Sequence, residues 1–147
     1  MTSPALHTRE MSSLETEAVA ELSAQLGYPS DAAEVAKRFL SLQQSSNDGL
    51  FVAVQAASVI GWLHVYGVKL LESDGYAEIG GVVVDVAARR HGIGRQLIRC
   101  AERWAVAHGY SELRLRSGLH RLDAHKFYQF IGYKLTKTSH MFYKRLV

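Results

Sequence analysis

Cysteine is nearly absent from this chain. Cys100 is the only one in 147 residues, so no intrachain disulfide forms and a Cys-x-x-Cys redox or zinc motif is excluded. Proline is almost as scarce, at two residues. No low-complexity tract or internal repeat occurs, which argues against a solenoid or a long disordered segment. No apolar run has the length of a membrane span, and Met1-Thr2-Ser3-Pro4-Ala5-Leu6-His7 has no signal-peptide core. A cytoplasmic location, with no membrane partner, is therefore expected. Acidic excess is lacking as well: the formal net charge is +3. That basicity suits an anionic ligand. A nucleic-acid binder would need a clustered basic face with exposed aromatics, whereas the basic residues here are spread out except around Arg89-Arg90-His91 and Arg95, Arg114-Arg116 and Lys144-Arg145.

What is present suits a globular protein. Hydrophobic residues make up 48% and charged residues 21% of the chain, enough for one domain over residues 1–147 with a sizeable core.

Ser12-Ser13-Leu14-Glu15 reads as a capping box. It opens a helix whose apolar stripe is Leu14, Val19, Leu22 and Leu26, stopped by Gly27. Pro29-Ser30 opens a second helix with Val35, Phe39 and Leu42 on one face. Asn47-Asp48-Gly49 marks a turn. Strands follow over Leu50–Ala56 and Val59–Val68, joined by a turn at Ala57-Ser58. Tyr76–Asp85 is the most β-prone run. A third helix covers Ile93–Ala107, with Leu97, Cys100, Ala101, Trp104 and Ala105 on its core face and His108-Gly109 at its end. Glu112–Arg116 alternates as a strand does. Asp123 caps a short helix with Ala124, Phe127, Tyr128 and Ile131, stopped by Gly132. Tyr133–Leu135 and Ser139–Leu146 read as two final strands, and Ala5–Thr8 as a short first one. The order predicts an α/β (α+β) fold: a mixed sheet covered by helices on both faces.

The chemistry concentrates in Val82-Val83-Val84-Asp85-Val86-Ala87-Ala88-Arg89-Arg90-His91-Gly92-Ile93-Gly94. A buried strand enters a glycine-bearing turn with basic neighbours, and a helix starts there. Glycine lets backbone N–H groups approach an anion without an intervening Cβ. The helix N-terminus adds partial positive charge. A pyrophosphate cradle is the reading, with Arg89, Arg90 and Arg95 adding side-chain charge. Ordinary turn chemistry is the alternative. A dinucleotide fingerprint fails because Leu97 stands at the third glycine position, and a P-loop fails for want of Gly-Lys-Ser/Thr.

Arg89-Arg90-His91-Gly92-Ile93-Gly94 resembles the Arg/Gln-x-x-Gly-x-Gly/Ala signature of the GNAT superfamily of N-acetyltransferases. Ala124-His125-Lys126-Phe127-Tyr128-Gln129-Phe130-Ile131-Gly132-Tyr133 resembles that family's second signature, Ala-x-x-Phe-Tyr-x-x-x-Gly-Phe/Tyr. The resemblance runs from about Phe51 to Leu146. It implies a mainly antiparallel sheet splayed between two central parallel strands, at Ala77–Val84 and Glu112–Arg116. It implies acetyl-CoA as cosubstrate and no metal. Backbone groups of Val82, Val83 and Val84 would pair with the pantetheine, and those of Arg90, His91, Gly92, Ile93 and Gly94, with Arg95, would hold the pyrophosphate. Where family members often carry an Asn contacting the cofactor, this chain has Ser117-Gly118-Leu119-His120-Arg121.

Tyr128 stands where the family places a general acid, since a phenol is protonated at neutral pH and can supply a proton to a departing thiolate. Packing is its alternative role. Glu78, between Ala77 and Ile79 on the strand leading to the cradle, is a candidate general base; it could instead attract a cationic substrate or face solvent. Trp62, His64 and Tyr66, with Glu78, are candidates to line the acceptor site. Of the histidines, His64, His91, His108, His120, His125 and His140 show no zinc-protease spacing. Cys100, on a core face, reads as an inert thiol.

The implied function is direct acetyl transfer from acetyl-CoA to a primary amine of a small molecule or a protein, without a covalent enzyme intermediate. A non-catalytic acyl-CoA-binding sensor of the same fold is the rival. The acceptor is not specified by the sequence, and a homodimer is compatible with it.

Overall fold

The computed structural model describes residues 5–89 and 91–147. They fall into two compact units, divided between Arg116 and Ser117. The first holds β1 (His7–Glu10), α1 (Thr16–Gln25), α2 (Ala32–Gln43), β2 (Asp48–Gln55), β3 (Ser58–Val68), β4 (Tyr76–Val84), α3 (Ile93–Ala107) and β5 (Leu113–Leu115). The second holds α4 (Leu122–Phe130).

Local chemistry explains most boundaries. The Ser12–Glu15 capping box forms and opens a single 3-10 turn that runs into α1. Glu15 is 4% exposed, and Arg9 pairs with it. The second helix starts slightly later than Pro29-Ser30 suggests. Asp31 is its cap, accepting from the Glu34 N–H at 2.7 Å, while Glu34 reaches back to the Asp31 N–H. The tight turn between β2 and β3 is formed by Ala56 and Ala57, both at positive φ, so β3 begins one residue earlier than expected. A two-residue turn with positive φ at both positions matches the twist of the strands it joins.

The five strands lie in the order β1-β2-β3-β4-β5. All neighbours are antiparallel except β4 and β5, which are parallel. The mixed, mainly antiparallel sheet expected from the sequence is therefore the observed one, and the two strands expected to be neighbours are neighbours. Alternation along β3 sorts its side chains. Leu63 and Val65 are fully buried, and a Cβ on Gly61 would meet Leu97 and Ile93 of α3. Trp62, on the other face, packs against Val19 of α1 and Val35 of α2. Helix α3 thus covers one face of the sheet, and α1 with α2 the other. Its core stripe is as expected: Leu97, Cys100, Ala101, Trp104 and Ala105 are all buried.

Two expectations fail in the second unit. Asp123 does not cap α4; Arg121 occupies the cap position without a side-chain hydrogen bond, and Asp123 lies inside the first turn. There its charge still complements the helix dipole. Tyr133–Leu135 and Ser139–Leu146 form no strands. Leu135, Met141, Phe142, Tyr143 and Leu146 are exposed. A strand exists only where a neighbour takes up its N–H and C=O groups, and β-prone composition cannot supply that neighbour.

Candidate active site

Strand β4 organises the site. On one side it pairs with β3 along its whole length. On the other it pairs with β5 only over Ala77, Glu78 and Ile79. From Gly80 to Val84 that edge has no strand beside it among the described residues. The sheet therefore opens beyond Ile79, as the splayed-strand expectation required.

The opening coincides with a bulge. Opposite β4, His64 pairs with Gly81 and Val65 with Ile79, so Gly80 is an extra residue in the ladder. Extra residues of this kind bend a strand and re-aim its neighbours. Here two consecutive glycines face the α1/α2 side. A Cβ on Gly80 would lie 3.0 Å from His64 Nδ1 and 3.0 Å from Tyr66 Cε1. A Cβ on Gly81 would lie 2.8 Å from the Trp62 ring. The missing side chains leave room above β4 where it opens. The adjacent Gly80-Gly81 pair inside a β-prone run is the sequence signal that could have located this bulge.

Above these glycines is a cavity of about 410 Å³ between the sheet and the two N-terminal helices. Trp62 and His64 line it, with Met11, Tyr28, Phe39 and Leu50 among the walls. Among the described residues its lining is mainly apolar and includes no carboxylate, and Arg38 is its one guanidinium. Trp62 Nε1 is buried without a hydrogen-bond partner. His64 Nε2 lies 2.7 Å from Asp48 Oδ1, and both side chains are mostly buried. Asp48 was legible in the sequence only as part of a turn.

Glu78 is 8% exposed, which removes the solvent-facing alternative. The Tyr66 hydroxyl donates to one carboxylate oxygen, and Arg116 Nε donates to the other at 3.1 Å. Burial first, then the bond and the negative charge of Glu78, push the Tyr66 phenol up to about 12. The charge of Glu78 and its hydrogen bond hold Arg116 above its ordinary range. Glu78 is therefore a carboxylate with both oxygens engaged.

The cradle follows directly from β4. Asp85 accepts from the Ala87 N–H at 3.0 Å and starts a short turn over Val86–Ala88. Arg89 Nε donates to the Val84 carbonyl at 3.3 Å, and His91 Nδ1 lies 3.2 Å from the Ala88 carbonyl. Gly92 is the N-cap of α3 in the left-handed conformation, at φ +78°. A Cβ there would meet nothing within 4 Å. The left-handed backbone by itself favours glycine here, and no described protein atom crowds the Cβ position. No side chain caps α3, and no acidic residue lies in its first turn. The leading N–H groups of Ile93, Gly94 and Arg95 precede the first helical hydrogen bond, made by Gln96 to Gly92. Such groups, with the helix dipole, make an anion site. Arg90 lies outside the described residues.

The first unit thus brings Glu78, Val82, Val83, Val84, Arg89, His91, Gly92, Ile93, Gly94 and Arg95 together along one strand–turn–helix segment. Tyr128 belongs to the second unit. It lies on α4, partly buried, beside Phe127, and its carbonyl accepts from the Tyr133 N–H at 2.9 Å. Burial raises its phenol above the ordinary value, against the opposing charge of Arg121. Cys100 is buried, its Sγ 3.2 Å from Thr8 Oγ1. No described helix is long and apolar enough to cross a membrane.

Known proteins bear on this geometry. The chain is 31% identical over 116 residues to N-acetyltransferase family 8 member 3 of Rattus norvegicus, covering 78% of this chain and 48% of that protein. It therefore spans about half the length of that curated relative. Its fold is similar to that of a transcriptional regulator from Bacillus halodurans C-125, with a TM-score of 0.85 and 25% identity over 95% of this chain and 100% of the other. It is also similar to an aminoglycoside N-acetyltransferase, AAC(6')-Iy, in complex with CoA, with a TM-score of 0.88 and 20% identity over 99% and 98% of the two chains. The family model described as the Acetyltransferase (GNAT) family matches residues 14–133, from the first helix through the second glycine-tyrosine signature, and the chain belongs to that family.

Proposed function

We propose that residues 1–147 act as one acetyltransferase domain that transfers acetyl from acetyl-CoA directly to a primary amine. The observation that carries this reading is the continuity of two features. Among the described residues the edge of β4 from Gly80 to Val84 has no strand beside it, and it leads through one short turn into the uncapped N-terminus of α3. An extended amide-bearing chain can add to such an edge as a strand does, and a pyrophosphate at its end would reach the N–H groups of Ile93, Gly94 and Arg95. The residues present fit CoA. Val82, Val83 and Val84 would hold its pantetheine. Arg89, Arg90, His91, Gly92, Ile93, Gly94 and Arg95 would surround its pyrophosphate. When bound, acetyl-CoA supplies an activated acyl group on a thiol that leaves.

Tyr128 is the proposed proton donor to the departing sulfur. Its raised phenol stays protonated throughout the neutral range, which is the state a donor needs. Glu78 accepts one hydrogen bond on each oxygen, from Tyr66 and from Arg116, with further lone pairs remaining. Its proposed role is to fix those two groups beside the bulge, where its charge also favours an approaching ammonium.

The cavity supports a finer reading of the acceptor. Its described lining is mainly apolar, and its Arg38 is paired with Glu34 at 3.5 Å, which favours an amine on an apolar body. The test is release of free thiol from acetyl-CoA across a panel of primary amines, from aminoglycosides to arylalkylamines and peptide N-termini. Turnover greatest for apolar amines is expected. Tight CoA binding with no thiol released for any amine would favour the sensor reading.

A further inference from the structure

Among the described residues, His64 is the one histidine that lines the cavity over the Gly80 bulge. We infer that His64 is the general base that takes the proton from the attacking amine, with Asp48 as its positioning residue. The inference rests on the acetyltransferase reading above and deepens it.

The argument begins with hydrogen-bond roles. A carboxylate only accepts, so at its 2.7 Å contact with Asp48 Oδ1 the His64 Nε2 carries the hydrogen, and in the neutral ring Nδ1 carries the lone pair. That lone pair looks over Gly80: the position of a Cβ on this residue is 3.0 Å from Nδ1. The bulge and the glycine together keep the base uncovered. His64 also lines the cavity, and its side chain retains 22% exposure. A proton acceptor therefore lines the acceptor cavity above the Gly80 bulge of β4. Glu78, the other candidate, is 8% exposed and is not among the residues that line the cavity.

The step balances. The amine lone pair forms the new C–N bond to the thioester carbonyl carbon as the C–S bond breaks. The nitrogen loses one proton to His64 Nδ1, and the sulfur gains one from the acid or from water. The imidazolium then returns its proton to solvent. The charged and titratable groups around His64 are Asp48 on β2, Tyr66 on its own strand, Glu78 of β4 through Tyr66, Arg116 through Glu78, and, lining the same cavity, Tyr28 and Arg38, the latter paired with Glu34. Asp48 holds the ring in the working tautomer and orientation.

The experiment measures kcat/KM against pH with acetyl-CoA and the best amine of the panel, and acetyl-CoA affinity by calorimetry. His64→Gln keeps a donor toward Asp48 and deletes the base. It should lower kcat/KM by about 10²–10⁴-fold, abolish the acid limb of the pH profile and leave acetyl-CoA affinity unchanged. Asp48→Asn should lower kcat with little change in KM, because the ring loses the partner that fixes its orientation. Retention of rate and limb by an acetyl-CoA-binding His64→Gln enzyme overturns the inference and leaves the proposed function standing. An inactive wild type across all amines overturns both. If His64→Gln fails to bind acetyl-CoA, His64→Ala with added imidazole decides. Restored turnover supports the base, and a folded, acetyl-CoA-binding protein that imidazole does not rescue overturns it.

Discussion

Gly92 offers a perturbation whose energy has two possible destinations. It caps α3 at φ +78° with nothing within 4 Å of the Cβ position. Replacement by Ala therefore meets no clash, and its cost is conformational. An L-residue in the left-handed region costs roughly 1–2 kcal/mol. If the backbone holds its conformation, that energy appears as lost stability. For a chain of this length about 1 kcal/mol corresponds to a fall in Tm of roughly 2–4 °C. If the turn instead relaxes, stability is spared, but the N–H groups at the start of α3 no longer converge. The same energy must then be restored on binding, and CoA affinity falls by roughly 5–30-fold. Thermal melting and titration calorimetry with CoA, run on the same preparations of Gly92→Ala and Gly92→Asn, separate the two. The Asn variant should lose less in both assays, because Asn tolerates the left-handed region better than Ala. The reasoning is refuted if Gly92→Ala leaves both Tm and Kd unchanged, since the positive φ would then do nothing for the fold or the cradle.

Other outcomes follow from named contacts. Tyr128→Phe keeps the ring and deletes the O–H; kcat should fall by about 10²–10⁴-fold with acetyl-CoA affinity little changed, as steady-state kinetics and calorimetry would report. Glu15 is raised by burial but lowered more by its bonds from Ser12 and Arg9 and by the charge of Arg9, leaving it below its ordinary 4.5. A carboxyl lowered in the folded state contributes stability above its unfolded value that is lost as pH falls through its folded one. Urea midpoints from pH 7 down to pH 3 should therefore drop more steeply below about 4.5 for the wild type than for Glu15→Gln. Tyr66, held near 12 against an ordinary 10, contributes stability present below pH 10 and lost as pH rises through 12. Tyrosinate absorbance should show a late-ionising phenol that Tyr66→Phe removes.

Some of this protein was determined by the sequence alone, where the governing interactions are local. The Ser12–Glu15 capping box closes within one turn, and the limits of α3 follow from Gly92, a continuous apolar stripe and His108-Gly109. The strand–turn–helix order around Arg89–Gly94 is likewise local, because a turn's backbone conformation depends on the few residues that form it. Only tertiary structure decided which groups meet. Tyr66 and Arg116 reach Glu78 from 12 and 38 residues away, and Asp48 reaches His64 from 16. Those pairings depend on strand register, including the one-residue shift at Gly80, which alternation of side chains along a single strand does not encode. The same dependence explains the stretch after Tyr133. Its β-prone residues carry a preference for extended backbone, but a strand requires a partner to complete its hydrogen bonds, and whether one lies alongside is settled by the rest of the chain.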